Sequence, residues 1–166
     1  FHVPAIRVDK DPKHDPSSFD KTAVRRRVRQ LMRKDPGNRL LAHHGMVCAL
    51  QYHCPNAANL FLRRWEAPVA VSGACNSACR GCISKQQPGS APSAQERITF
   101  TPTVDEILGI AVPHLEEAPR AIISFGQGCE GEPLLKGKLI EDAVRAIRRQ
   151  TARGTIHLNT NGSKPE

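Results

Sequence analysis

The sequence contains few aromatic residues and no long apolar run. Five Phe, one Trp and one Tyr are the whole aromatic set of its 166 residues. No apolar run approaches the roughly 20 residues that a helix needs to cross a bilayer, and the opening segment lacks the apolar core of a secretory signal. The sequence therefore predicts a soluble, cytoplasmic protein with no membrane partner. Its start at Phe1 rather than at Met predicts an excised or incomplete chain.

Acidic residues are scarce in the first 68 positions, which hold 13 Lys and Arg against 6 Asp and Glu within a net charge of +8. Such a segment can attract nucleic acid, an acidic protein or an anionic small substrate, and it is also typical of a solvated helix face. The charge favours RNA or another anionic substrate as a partner. The shortage of aromatic rings counts against RNA, because single-stranded bases are usually stacked on such rings.

The pattern of apolar residues divides the chain into three parts, although its length and composition suit one globular domain. Residues 1–16 are polar and contain three prolines, which predicts an arm over the surface. Residues 17–68 predict a basic helical extension, with Ser17 or Ser18 as the cap of its first helix and shorter helices after it. Residues 69–166 alternate short apolar runs with amphipathic segments, which predicts strands and helices in alternation.

Three short apolar runs, at residues 69–72, 121–125 and 155–159, are the predicted strands. Amphipathic helices separate them, and Thr103 and Glu106 match a capping box at the start of the first. Strands that alternate with helices at this spacing form βα units and a parallel sheet, so the predicted class is α/β. Three strands leave open edges, which predicts that the sheet is unfinished where the sequence stops.

Cysteine is present in a pattern that favours metal binding over disulfide bonds. Cys75, Cys79 and Cys82 have the spacing Cys-x3-Cys-x2-Cys, and no secretory signal accompanies them. Three soft thiolates on a tight loop can ligate three corners of an iron–sulfur cube and leave the fourth iron open. A structural zinc site needs four ligands and commonly uses a second Cys-x2-Cys pair, which the sequence lacks. The fourth zinc ligand would have to be Cys48, Cys54, Cys129 or a His such as His53.

Polar and glycine-rich segments follow the other two predicted strands. The second strand leads into a glycine-rich turn with Glu130 and Glu132, and the third leads into Asn159, Thr160 and Asn161. Loops at the carboxyl ends of parallel strands gather at one face of the sheet. The sequence therefore predicts one site built from these two loops and the three cysteines.

Three features in this order resemble the radical S-adenosylmethionine superfamily, and the resemblance runs from about Val69 to Glu166. They are the three-cysteine loop after the first strand, the Gly-Glu-Pro at 131–133 after the second, and the Asn-Thr-Asn-Gly at 159–162 after the third. The resemblance implies the first three βα units of a partial (β/α)6 TIM-like barrel, incomplete at the C-terminus and preceded by a mainly helical extension. It also implies a [4Fe-4S] cluster on Cys75, Cys79 and Cys82.

The same resemblance implies an activity. The open iron would chelate S-adenosylmethionine, and an electron from an external donor such as flavodoxin or ferredoxin would cleave it to a 5′-deoxyadenosyl radical. That radical would abstract hydrogen from an unidentified substrate. Gly131 and Glu132 would accept hydrogen bonds from the methionine ammonium, with Glu130 as a rival for this role. The cofactor or the substrate would also be lined by Asn159, Thr160 and Asn161.

The alternative function is a non-catalytic zinc or iron–sulfur binding module that recognises nucleic acid through its basic region. It predicts one zinc ion per chain and no need for S-adenosylmethionine. Cys129 fits either a catalytic thiol near the cofactor or a small buried side chain. An auxiliary cluster and ordinary packing both stay open for Cys48, His53 and Cys54.

Overall fold

The computed structural model describes Asp15 and residues 18–164, so the predicted arm lies outside the described residues apart from Asp15. Helices come first, and strands and helices then alternate. In chain order the elements are α1 (Lys21–Lys34), α2 (Arg39–Ala42), a π-helix (His43–Gln51), α3 (Pro55–Leu62), β1 (Glu66–Pro68), α4 (Val104–Glu117), β2 (Ile122–Phe125), a 3₁₀ turn (Pro133–Lys136), α5 (Gly137–Gln150) and β3 (Thr155–Leu158).

Helix α1 confirms the predicted basic helix but begins at a different cap. Asp20 is the N-cap, and its carboxylate accepts hydrogen bonds from the amides of Thr22 and Ala23. The expectation of a serine cap is wrong. The carboxylate directly before the helix accepts hydrogen bonds from two free amides, and its negative charge is attracted to the positive end of the helix dipole. Val24 and Val28 are buried. The exposed side of the helix carries Arg25, Arg26, Arg29, Arg33 and Lys34.

The described residues contain a three-stranded parallel sheet in the order β1-β2-β3. Ile123 in the central strand pairs with Ala67 on one side and Ile156 on the other. Helix α4 connects β1 to β2, and α5 connects β2 to β3, as the alternating pattern predicts. The carboxyl ends of all three strands therefore point to the same edge of the sheet.

The first strand lies three residues earlier than predicted. It covers Glu66–Pro68, and the expected strand at 69–72 is instead a buried segment outside the strand. The amides of Val71 and Ser72 both donate to Oε2 of Glu130, at 2.8 and 3.0 Å. A strand ends where its amides no longer pair with a neighbouring strand, and here a carboxylate takes that place. The apolar run therefore predicted burial correctly and strand pairing incorrectly.

The N-terminal helices and the sheet share one hydrophobic core. Leu40 and Phe61 from the helical part are fully buried together with Ile107 of α4 and Ile123 and Phe125 of β2. Each such side chain contributes about 1.5–3 kcal/mol by leaving water. The helical extension is thus packed against the sheet rather than attached to it by a linker.

The capping box at the start of α4 is confirmed and extends to a neighbouring helix. Thr103 and Glu106 exchange the two reciprocal hydrogen bonds of the motif. Oε1 of Glu106 also accepts from the backbone amide and Nε of Arg39, at 3.0 and 2.7 Å. One carboxylate therefore fixes α4 against the start of α2.

Replacing Glu106 by Gln is expected to lower the free energy of unfolding by about 1 kcal/mol at neutral pH. Hydrogen bonds from Arg39 lower the pKa of Glu106 to about 2, against the opposing effect of burial and with help from Thr103. A carboxyl with a folded pKa below its unfolded value stabilises the fold above that value. The difference between wild type and variant is therefore expected to vanish as the pH falls from 4.5 through about 2.

Urea unfolding followed by circular dichroism, repeated across this pH window, measures the effect. The control is Asp105→Asn, which removes a carboxylate from the same helical turn without touching Arg39, and it is expected to cost less. A stability difference for Glu106→Gln that persists unchanged to about pH 2 would show that the ion pair with Arg39 is not its source.

Within the part of the chain that the structure describes, no helix is both long enough and apolar enough to cross a membrane.

Candidate functional site

The three clustered cysteines lie on one loop beyond the carboxyl end of β1, which we call the cysteine loop (residues 73–84). All three are free thiols; Cys79 is exposed, and Cys75 and Cys82 are partly buried. Gly81 has a φ of 73°, which permits the tight turn that brings the amide of Cys82 to 3.4 Å from the carbonyl oxygen of Cys79. The loop thus carries its thiols at or near the surface.

Cys82 has polar neighbours that favour its thiolate. Its Sγ lies 3.6 Å from the hydroxyl of Ser84 and 3.4 Å from Nη2 of Arg97. Hydrogen bonds from Ser84, followed by the bond from Arg97, lower the pKa of the Cys82 thiol to about 7. The thiolate is the form that ligates metals, so this position suits a metal ligand near neutral pH.

The loop after β2 binds the backbone at the start of the cysteine loop and at Ser72 just before it. The amide of Gly131 donates to the carbonyl oxygen of Ser72 at 2.6 Å, and the amide of Glu132 donates to that of Ala74 at 2.9 Å. A Cβ at position 131 would lie 2.0 Å from the oxygen of Ala74 and 3.1 Å from Cβ of Cys75. Glycine is therefore required for the two loops to approach so closely.

Glu130, the rival for a cofactor contact, is committed to the backbone. Its carboxylate accepts from the amide of Gly126 at 2.5 Å as well as from Val71 and Ser72, and its side chain is almost fully buried. Burial raises the pKa of Glu130 to about 7, although these amides act in the opposite direction. In this position Glu130 holds the loop after β2 against the buried segment at residues 69–72.

Glu132 connects the loop after β2 to the loop after β3. Oε1 accepts from the hydroxyl of Thr160 at 2.5 Å and from the amide of Leu134 at 3.0 Å, and Oε2 accepts from the amide of Asn161 at 2.8 Å. Burial acts to raise the pKa of Glu132, but these hydrogen bonds outweigh it and lower the pKa. A carboxylate has about four acceptor positions, so one remains on Oε2.

The loop after β3 contacts the cysteine loop through side chains. Nδ2 of Asn161 donates to Oδ1 of Asn76 at 2.7 Å and to the hydroxyl of Ser77 at 2.8 Å. Asn159 is directed elsewhere. Its backbone amide and its side-chain Nδ2 both donate to the carbonyl oxygen of Phe125, at 3.0 and 3.4 Å. The structure thus brings together the cysteine loop, Gly131, Glu132, Thr160 and Asn161, while Asn159 serves the end of the sheet.

A polar row across the sheet escaped the sequence analysis. Oγ of Ser124 donates to Oε1 of Glu66 at 2.5 Å and lies 3.4 Å from Nδ1 of His157, and Gln127 donates to the same Glu66 oxygen at 2.8 Å. Ser124 pairs in register with His157, so both lie on one face of the sheet. The alternation of side chains along each strand could have indicated this face, but the register was needed to align the strands.

The remaining cysteines and His53 lie on segments of the chain other than the cysteine loop. Cys129 is buried beside Cys48, and a hydrogen bond with that thiol together with burial raises the pKa of Cys129 well above its ordinary value. Cys54 is partly buried, and burial also raises its pKa. His53 is exposed.

Comparison with known proteins gives no match to a family model, to a curated protein or to a solved structure.

Proposed function

We propose that this protein is a radical S-adenosylmethionine enzyme whose [4Fe-4S] cluster is bound by Cys75, Cys79 and Cys82. The hydrogen bonds that join the cysteine loop to the loops after β2 and β3 carry this proposal. They bring the three sequence features of the superfamily to one edge of a parallel sheet, where α/β proteins build their sites.

The chemistry of the donor set fits the cluster. Three thiols on a loop with a glycine turn offer soft, strongly donating ligands, and all three are free. A four-iron cube is several ångströms across, so its ligating sulfurs need not be in mutual contact. The guanidinium of Arg97 beside Cys82 partly balances the negative charge that three thiolates bring.

The proposed division of labour among the residues follows from the hydrogen bonds. When bound, the reduced cluster supplies the electron that cleaves S-adenosylmethionine and generates a 5′-deoxyadenosyl radical for hydrogen abstraction. Glu132 is fixed by Thr160 and Asn161 and keeps one acceptor position for the methionine ammonium. Gly131 allows the backbone of the loop after β2 to lie directly against the cysteine loop, next to that carboxylate. Asn161 ties the cysteine loop to the loop after β3.

The proposal includes the partial (β/α)6 barrel and an external electron donor such as flavodoxin or ferredoxin, both implied by the superfamily resemblance. We propose that the substrate is anionic, RNA included, because the exposed basic face of α1 would attract negative charge.

Anaerobic reconstitution of the full chain with iron and sulfide tests the proposal. The wild type is expected to bind about four irons per chain and to turn brown with an absorbance band at about 400 nm. Cys75→Ala, Cys79→Ala and Cys82→Ala are each expected to abolish this band. Equilibrium dialysis is then expected to show binding of S-adenosylmethionine to the reconstituted wild type and not to these variants.

The matched control is Cys54→Ala, which removes a partly buried thiol outside the cysteine loop and is expected to leave the iron content unchanged. A triple variant that still assembled the same cluster would refute the assignment of its ligands. Colourless wild-type protein that held one zinc ion on these thiols and ignored S-adenosylmethionine would support the non-catalytic module instead.

A further inference from the structure

A second group of soft ligands lies inside the protein, on segments other than the cysteine loop. His44 and Cys48 are on the π-helix, and Cys129 is on the loop after β2. One ligand atom from each of the three lies within 4.8 Å of the other two. Their exposed fractions are 0%, 1% and 5%, so the group is almost completely shielded from solvent. Nothing in the proposed radical chemistry uses these residues.

The ring nitrogens of His44 have few hydrogen-bond partners. Within the described residues its Nδ1 has no hydrogen-bond partner. Its Nε2 lies 3.4 Å from the amide nitrogen of Ala70, which is longer than the usual range of about 2.7–3.2 Å. A buried polar atom without a partner is costly and calls for an explanation, of which an absent ion is one. Neither ring nitrogen is therefore committed to a strong hydrogen bond.

We infer that His44, Cys48 and Cys129 bind one Zn²⁺ ion. One imidazole and two thiolates are ligands that zinc prefers. The charges also match, because two thiolates neutralise the dication and a neutral imidazole adds no charge. A neutral assembly is the form that a buried site tolerates best.

Zinc binds thiolates and a neutral imidazole, so binding releases protons to solvent and the zinc affinity of this site rises with pH.

A cavity of about 310 Å³ gives access to the site. Cys48 and Cys129 are both in its wall, together with Cys54 and Gln127. Zinc held by three protein ligands takes its fourth ligand from this side, as water or as a small molecule from the cavity. Cys54 lies outside the close group of ligands and is not required.

Bound zinc would join two parts of the protein that are distant in sequence. It would link the π-helix to the loop after β2, which also carries Glu130 and Glu132. The ion would therefore stabilise the packing of the helical extension against the loop that contacts the cysteine loop. π-Helical segments are frequent at functional sites, which agrees with this location.

The test uses the full chain with Cys75, Cys79 and Cys82 replaced by Ala, so that metal on the cysteine loop cannot contribute. After treatment with a chelator and under anaerobic conditions, this parent is titrated with Co²⁺ as a spectroscopic substitute for zinc. One equivalent is expected to bind with thiolate-to-cobalt charge-transfer bands, and Zn²⁺ is expected to displace it. Zinc is also expected to raise the midpoint of thermal unfolding of the same protein.

Cys48→Ser and Cys129→Ser in this parent are expected to weaken cobalt binding by about 100-fold or more, since even residues that only orient a ligand cost 10–100-fold. Cys54→Ser is the matched control and is expected to bind one equivalent as the parent does. The unfolding midpoint of the parent with zinc or with chelator gives an answer even where a buried variant fails to fold. A folded parent that binds no cobalt and gains no thermal stability from zinc would overturn the site, as would undiminished binding in Cys48→Ser and Cys129→Ser.

Discussion

Replacing Glu130 by Ala is expected to lower the free energy of unfolding by about 3 kcal/mol or more, because three buried amides lose their acceptor at once. The amides belong to Val71, Ser72 and Gly126, and each donates to this carboxylate at 3.0 Å or less. With a domain stability of about 5–15 kcal/mol, such a loss removes about a fifth to three fifths of the total. Urea unfolding of both proteins measures the difference.

The matched control is Glu141→Ala on α5. Glu141 forms ion pairs with Lys138 and Arg145, but all three side chains are about half exposed or more. Exposed pairs of this kind contribute about 0.2–1 kcal/mol each. A cost for Glu130→Ala no greater than that for Glu141→Ala would be incompatible with the carboxylate as the acceptor that ends the first strand.

The pH dependence of this effect has a definite sign. The folded pKa of Glu130, about 7, lies above the ordinary value of 4.5, so the folded state holds this proton more tightly than the unfolded state. The contribution to stability is therefore complete below pH 4.5 and declines as the pH rises through about 7. The stability of wild type relative to Glu130→Ala is expected to fall across that window. Buried His44 and His114 act in the opposite direction in both proteins and cancel in the comparison.

Glu130 also shows where prediction from sequence ended. The apolar run at 69–72 predicted burial, and all four residues are buried. The prediction of strand pairing was wrong, because the amides of Val71 and Ser72 are bound by a carboxylate almost sixty positions later in the chain. No local sequence pattern indicates such a partner. The positions of β2, β3 and the capping box could be predicted, because apolar runs and the cap motif depend on neighbouring residues.

The candidate sites were likewise predictable from the sequence only in part. Loops after parallel strands meet at one edge of a sheet by topology alone, so the proximity of the cysteine loop to Gly131 and Asn161 was predictable. The grouping of His44, Cys48 and Cys129 was not, because it depends on how the π-helix packs against the loop after β2. Spacing along the chain indicates ligands on one segment, whereas a site shared between segments appears only once the packing is known.

Gly126→Ala is expected to lower the free energy of unfolding by about 3 kcal/mol or more, and the control Gly137→Ala is expected to raise it. Gly126 has a φ of 77°, and a Cβ there would lie 1.8 Å from the carbonyl oxygen of Asn159. The left-handed conformation alone costs an alanine about 1–2 kcal/mol. The clash adds to this cost, because the obstructing atom is backbone and the loops after β2 and β3 must separate to relieve it.

Gly137 differs in both respects. It lies in the first turn of α5 with a φ of −52°, and a Cβ there meets nothing within 4 Å. Alanine at such a position stabilises a helix by about 0.5–1 kcal/mol, in part by restricting the unfolded chain. Urea unfolding of the two variants should therefore shift in opposite directions. Equal small shifts would show that the loops after β2 and β3 can separate at little cost, and the close approach of Glu132, Thr160 and Asn161 would then owe little to Gly126.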